Sequence, residues 1–131
     1  MTMERPRLLL IDDEPALAAF VASAAQESGY QAFIGTNETD FRRQFHERRP
    51  DAVALDLGMP GMDGVELLRF LAGESFAGPV LIISGFDRRV LDSAFRLGQA
   101  IGLRMVGPLE KPTRLEELEG VLREVRPAPA R

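Results

Sequence analysis

The sequence has no cysteine, which removes disulfides, thiolate chemistry and cysteine-ligated metal at once. It has no apolar run approaching a membrane span, and Met1 to Arg7 lacks the apolar core of a signal segment. These two absences lead to the expectation of a cytoplasmic protein with no membrane association. It also lacks a basic excess: the net charge is −4, which argues against direct nucleic-acid binding by this chain. No internal repeat occurs at solenoid spacing. What remains is 131 residues, 45% of them apolar, which suits one soluble domain with a full core. The division read from the sequence is a domain over residues 1–125 and a Pro/Ala tail over 126–131.

The chain is organised around residues 52–64. The apolar run Ala52-Val53-Ala54-Leu55 stops at Asp56, and Gly58, Pro60, Gly61 and Gly64 follow directly. This predicts a buried strand that delivers a carboxylate into a turn-rich loop. An acidic residue where a strand merely exits to solvent would look the same, so the other strands must decide.

Leu8 to Ile11 is a short apolar strand pattern ending at Asp12-Asp13-Glu14. Pro15 suits a first helical turn, and Leu17, Phe20, Val21, Ala24 and Ala25 recur at helical spacing before Gly29. A less regular strand over residues 30–34 follows. A polar helix is predicted from Glu38 to Arg49, with Phe41 and Phe45 facing the core and its arginines and His46 forming a solvated basic face. Pro50 stops it.

After the central loop, Val65, Leu67, Leu68 and Leu71 mark a third helix that frays at Gly73. The strand Val80 to Ile83 ends at Ser84-Gly85. A fourth helix carries Val90, Leu91, Ala94, Phe95 and Leu97 and stops near Gly102. Residues 103–106 are a weak fifth strand, followed by Gly107-Pro108-Leu109-Glu110-Lys111-Pro112. Thr113 and Glu116 have capping-box spacing for a last helix that buries Leu115, Leu118, Val121, Leu122 and Val125.

Five strand–helix alternations imply an α/β fold with a parallel sheet covered on both faces, since parallel strands need crossover connections. The strands are continuously apolar, as burial on both faces requires.

In such a sheet the C-terminal strand ends share one edge, and ligands bind there. That edge collects Asp12, Asp13, Asp56, Ser84 and Lys111. Three converging carboxylates would repel, and a hard divalent cation removes that cost; carboxylate and water oxygens suit Mg2+. A hydroxyl and an ammonium opposite them suit a phosphoryl group. Singly, each residue has a plain explanation: a helix cap, a helix start, a surface lysine. Jointly, four strand ends with compatible chemistry do not.

The ordered set Asp12-Asp13, Asp56 with Met-Pro-Gly-Met-Asp-Gly behind it, Ser84-Gly85 and Lys111-Pro112 resembles the receiver domains of two-component response regulators, over residues 6 to about 125. The resemblance implies a doubly wound, flavodoxin-like three-layer sandwich with strand order 2-1-3-4-5 and five helices; that order is not read from the periodicity. It implies that Asp56 is the phosphoacceptor and that Ser84 is the switch hydroxyl. Lys111 then pairs with the phosphoryl group, aimed by a cis Lys111–Pro112 bond. Asp12, Asp13, Asp56 and the backbone carbonyl of Gly58 hold Mg2+. It implies a phosphorelay switch, not an enzyme in its own right, that takes its phosphoryl group from a histidine kinase or phosphotransfer protein and acts on a downstream target protein or output domain.

Two departures stand out. The family's aromatic residue three before the lysine is Pro108 here, whose ring cannot swing on side-chain torsions. Its signal would then pass through Phe86. Ser84 and Lys111 are also 27 positions apart, longer than is common, which places an added turn or so in the fourth helix or its exit. The stretch from Ser84 to Pro112 is similar to receivers that precede EAL-type cyclic-di-GMP phosphodiesterase outputs. A phosphorylation-dependent homodimer is a further expectation, pairing Arg88, Arg89 and Arg96 of the fourth helix with Glu116, Glu117, Glu119 and Glu124 of the fifth. Two other functions fit less well: a degenerate receiver that only docks proteins, and a haloacid-dehalogenase-like phosphohydrolase, which needs an Asp where Glu14 stands.

Overall fold

A computed structural model describes residues 4–58, 64–85 and 88–129. Its elements are β1 (Arg7–Ile11), α1 (Pro15–Glu27), β2 (Gln31–Gly35), α2 (Glu38–Arg48), β3 (Ala52–Asp56), α3 (Gly64–Gly73), β4 (Pro79–Ser84), α4 (Arg88–Ala100), β5 (Arg104–Glu110) and α5 (Leu115–Glu124). All strand pairs are parallel, and the order is β2-β1-β3-β4-β5. This is the doubly wound architecture expected from the sequence.

Alternation along the strands divides the core into two layers. Leu9, Ile11, Val53, Leu55, Val80 and Ile82 point toward α2, α3 and α4, where Phe41, Leu67, Leu68, Leu71 and Leu91 meet them. Leu8, Leu10, Ala52, Ala54, Leu81 and Ile83 point the other way, toward Ala18, Val21, Ala25, Leu118 and Leu122 of α1 and α5. The central strands β3 and β4 are buried at every position. Tyr30 closes the α1/α5 layer: it is fully buried and its hydroxyl donates to the Leu122 carbonyl at 2.7 Å.

Several expectations need correction. β5 runs on through Gly107 and Pro108 to Glu110 rather than stopping at residue 106. Along it, Leu81 pairs with Val106 but Ile83 pairs with Leu109, so β5 fits one extra residue into the ladder. Gly107, at φ +94°, supplies the backbone conformation there, and a Cβ would meet Leu81 Cδ1 at 3.2 Å. Proline is tolerated because β5 is an edge strand and the position is a bulge. Part of the added length between Ser84 and Lys111 therefore sits in this bulge.

The capping box at α5 does not form, and Leu115, expected to be buried, is exposed in the first turn of that helix. Arg114 occupies the N-cap position, and the Thr113 hydroxyl donates instead to the Glu110 carbonyl at 2.9 Å. The end of α2 comes one residue early, with Arg49 left-handed at φ 49°. Its basic face is not simply solvated. Arg42 lies over the Phe70 ring and Arg48 over Phe33, and His46 meets Glu74 at 3.3 Å. No helix among the described residues is long and apolar enough to cross a membrane.

Candidate functional site

The C-terminal edge of the sheet gathers the residues singled out above. β1 and β3 are paired in register, Ile11 against Leu55, so the residues that follow them emerge side by side. Asp12 comes directly after β1 and Asp56 is the last residue of β3; they are 7% and 5% exposed. Asp13 is exposed. One carboxylate oxygen from each of the three lies within 4.8 Å of the others.

Two backbone contacts set these carboxylates. The Glu14 N–H donates to Asp12 Oδ1 at 3.0 Å, in the turn that starts α1. The Gly58 N–H donates to Asp56 Oδ1 at 2.9 Å. In both cases a side chain caps the turn that follows its strand, which locks the rotamer.

Lys111 reaches in from beyond β5. Its Nζ donates to Asp12 Oδ2 and to Asp56 Oδ2, each at 3.0 Å, and its side chain is 16% exposed. Its backbone N–H donates to the Ser84 carbonyl at 3.0 Å, so the lysine is fixed to the end of β4. The Lys111–Pro112 bond is cis, as is Gly107–Pro108. Burial works to lower the ammonium's pKa, but hydrogen bonds to Asp56 and Asp12 and their charges outweigh it, and the pKa rises above the ordinary lysine value. An apolar cavity of about 170 Å³, lined by Leu17, Phe20, Ile83, Pro112 and Leu118, flanks the ion pairs.

Ser84 is fully buried at the end of β4, in register with Glu110. Asp56 pairs in the ladder with Ile83, immediately before it. Thus Asp12, Asp13, Asp56, Ser84 and Lys111 share one edge, as the sequence reading expected. The loop residues Met59 to Asp63, and Phe86, lie outside the described residues.

The donor set fits a hard divalent cation. Three carboxylates within one coordination sphere's span carry excess negative charge that a single ammonium only partly offsets. Sequence reading missed the environment of Glu110 and Arg88. Arg88 Nη1 lies 3.0 Å from Glu110 Oε1, immediately before the lysine. Neither residue belongs to a recognisable motif, and only the edge pairing of β4 with β5 brings them together.

The family model described as "Response regulator receiver domain" matches residues 8–123. The transcriptional regulatory protein TrcR of Mycobacterium tuberculosis is 30% identical over 117 residues, covering 89% of this chain and 45% of that protein. The DNA-binding response regulator MtrA of Mycolicibacterium smegmatis is 31% identical over 87 residues, covering 66% of this chain and 38% of that one. The chain therefore spans less than half the length of these curated relatives. Among solved structures, the chemotaxis response regulator CheY4 of Vibrio cholerae superposes with a TM-score of 0.75 at 23% identity, covering 95% of this chain and 99% of that one. A signal receiver domain from Bermanella marisrubri gives 0.75 at 26% identity, covering 91% and 96%. The matched span holds both core layers and the entire carboxylate–lysine edge, and the chain belongs to the response regulator receiver domain family.

Proposed function

We propose that this domain is a phosphorylation-driven switch of a two-component phosphorelay, with Asp56 as the phosphoacceptor. One observation carries the reading: Asp56 is a buried strand-end carboxylate with an ammonium 3.0 Å from one of its oxygens. The donor is a phosphohistidine of a kinase or phosphotransfer protein. An Asp56 oxygen attacks the phosphorus, the P–N bond breaks, and the histidine nitrogen leaves with the electron pair. In this reading Lys111 and the Ser84 hydroxyl donate to the phosphoryl oxygens, and Asp12 and Asp13 complete the acidic cluster.

Mg2+ held by Asp12, Asp13, Asp56 and the Gly58 carbonyl would supply positive charge opposite the transferring oxygens. Few protein ligands are available, so that binding is weak and reversible. Asp13→Ala is expected to weaken magnesium affinity strongly in a direct titration, and unchanged affinity would remove Asp13 from the ligand set.

The intact set of five side chains favours a working switch over a docking module. Glu14, in place of a second aspartate two positions after Asp12, disfavours a phosphohydrolase. Incubation with acetyl phosphate and magnesium separates these functions. The switch gains one acid-labile phosphoryl group by mass spectrometry, a docking module gains none, and a phosphohydrolase consumes the donor continuously. Asp56→Asn should abolish the adduct while far-UV circular dichroism is retained; an undiminished adduct would overturn the assignment.

The domain proper is taken as residues 1–125, with 126–131 a tail, acting in the cytoplasm on a downstream protein or output domain. TrcR and MtrA are described as transcriptional and DNA-binding regulators; this chain's net charge of −4 gives the receiver itself no such role. Half-exposed Val90 and Leu115 add apolar surface beside the charged faces of α4 and α5. Those faces would carry a phosphorylation-dependent dimer, and light scattering with and without beryllofluoride tests it: a monomer in both states refutes dimerisation through them.

A further inference from the structure

We propose that Arg88 and Glu110 form a positioning latch that holds the start of α4 against the phosphoryl-binding edge in the resting state, in place of the swinging aromatic that Pro108 cannot supply. This rests on the phosphorylation switch proposed above.

Glu110 is placed by three constraints. It closes the β4–β5 ladder opposite Ser84, the Thr113 hydroxyl donates to its carbonyl, and the Lys111 N–H that follows it donates to the Ser84 carbonyl. Its carboxylate meets the guanidinium of Arg88, the first residue of α4, across 22 positions of sequence at 3.0 Å. Arg88 has a second partner, Asp92, one turn along its own helix at 3.3 Å. Of the two carboxylates described beside Arg88, a shift of α4 parts it from Glu110, while Asp92 on the same helix moves with it.

Both side chains are largely exposed, 61% for Arg88 and 48% for Glu110. Such a pair adds little to global stability. It can still bias a two-state equilibrium whose states differ mainly in where α4 begins. Lys111 follows Glu110 in the chain and its N–H donates to the carbonyl of Ser84, Glu110's ladder partner, so phosphoryl capture by Ser84 and Lys111 acts on the backbone that carries the latch.

The test uses the intact chain with magnesium and beryllofluoride as the phosphoryl mimic. Arg88→Ala and Glu110→Gln should each tighten beryllofluoride binding, by about two- to fivefold, the range an exposed ion pair can supply. Their combination should tighten it no further than either alone. The charge swap Arg88→Glu with Glu110→Arg should return affinity toward that of the native chain. Raising salt should tighten binding to the native chain relative to the variants, as screening weakens the pair.

A purely electrostatic effect on the bound anion would give opposite signs for the two single variants, since one removes a positive charge and the other a negative one. Opposite signs, additive effects or unchanged affinity would each overturn the latch. A native chain that binds no beryllofluoride at all would instead refute the proposed switch, and the latch with it.

Discussion

Lys111 at the strand edge and Arg43 on α2 each bridge two carboxylates, yet they do opposite things. Arg43 binds Asp40 and Glu47, the latter at 2.8 Å, closer than the 3.0 Å of either Lys111 contact. But Arg43 is 57% exposed and its pairs lie within one helix. Lys111 is 16% exposed, its partners 5% and 6%, and it joins three strand ends. Distance does not rank these interactions; loss of solvent does. The exposed bridge is screened and replaceable by water. Breaking the buried one leaves two carboxylates, 5% and 6% exposed, without the ammonium that faces them.

Removing the buried cation is therefore the hardest blow. Lys111→Met should cost about 3 kcal/mol in urea unfolding without divalent cations, because Asp12 and Asp56 are left buried without their counter-charge. Millimolar magnesium should recover much of that loss. A variant as stable as the native chain in chelator would show that the carboxylates are better hydrated than their burial implies.

An alkaline titration sharpens the comparison from the buried side. Burial pushes the Tyr30 hydroxyl up to about 12, against weaker opposing charges on Arg126 and Arg104. The unfolded tyrosine ionises near its ordinary value of 10.0, so stability is unaffected below that and falls as pH rises toward 12. Lys111, raised above 10.5, acts in the same direction: its contribution is complete below that value and is lost as the folded group deprotonates. Tyr30→Phe should cost about 1 kcal/mol at neutral pH, through the lost bond to Leu122, and flatten the alkaline fall.

The smallest effects belong to α2. The Thr36 N–H, with Gln44 and Arg43 and against the effect of burial, lowers the Asp40 carboxyl to about 2. Its contribution is present above the ordinary value of 3.8 and fades as pH falls toward 2. Arg43→Ala should leave the urea midpoint at neutral pH indistinguishable from that of the native chain, the smallest change of the series. A larger loss would mean that the exposed bridge carries more than the comparison allows.

The two-layer core and all five edge residues were legible in the sequence because continuous apolar strands and abrupt polar stops are strong local signals. The failures share a cause. Thr113 has cap spacing, but β5 runs long enough to offer its hydroxyl the Glu110 carbonyl instead. His46 reads as solvated until α3 brings Phe70 and Glu74 beside it. The Arg88–Glu110 contact depends on edge-strand register, which no local pattern encodes. The EAL-type affinity is not reflected in TrcR or MtrA, and Phe86 lies among residues whose structure is not described.

The Gly107–Pro108 bulge has a consequence for how this chain tolerates change in length. Val106 and Leu109 both pack into the α1/α5 layer although they are three residues apart, an odd separation that an even strand would send to opposite sides. The extra residue resets the phase of β5 just before its end. Deleting Pro108 would remove the bulge, leave Leu109 two residues after Val106 in regular register opposite Ile83, and so keep Leu109 in its layer and Lys111 beside the end of β4. The same deletion at Gly102, in the turn before β5, leaves every inward and outward position of the strand as it is. One residue can thus be lost from the bulge or from the turn without moving Leu109 or Lys111 off its side of the sheet, whereas a loss between Arg104 and Val106 would shift the strand against β4.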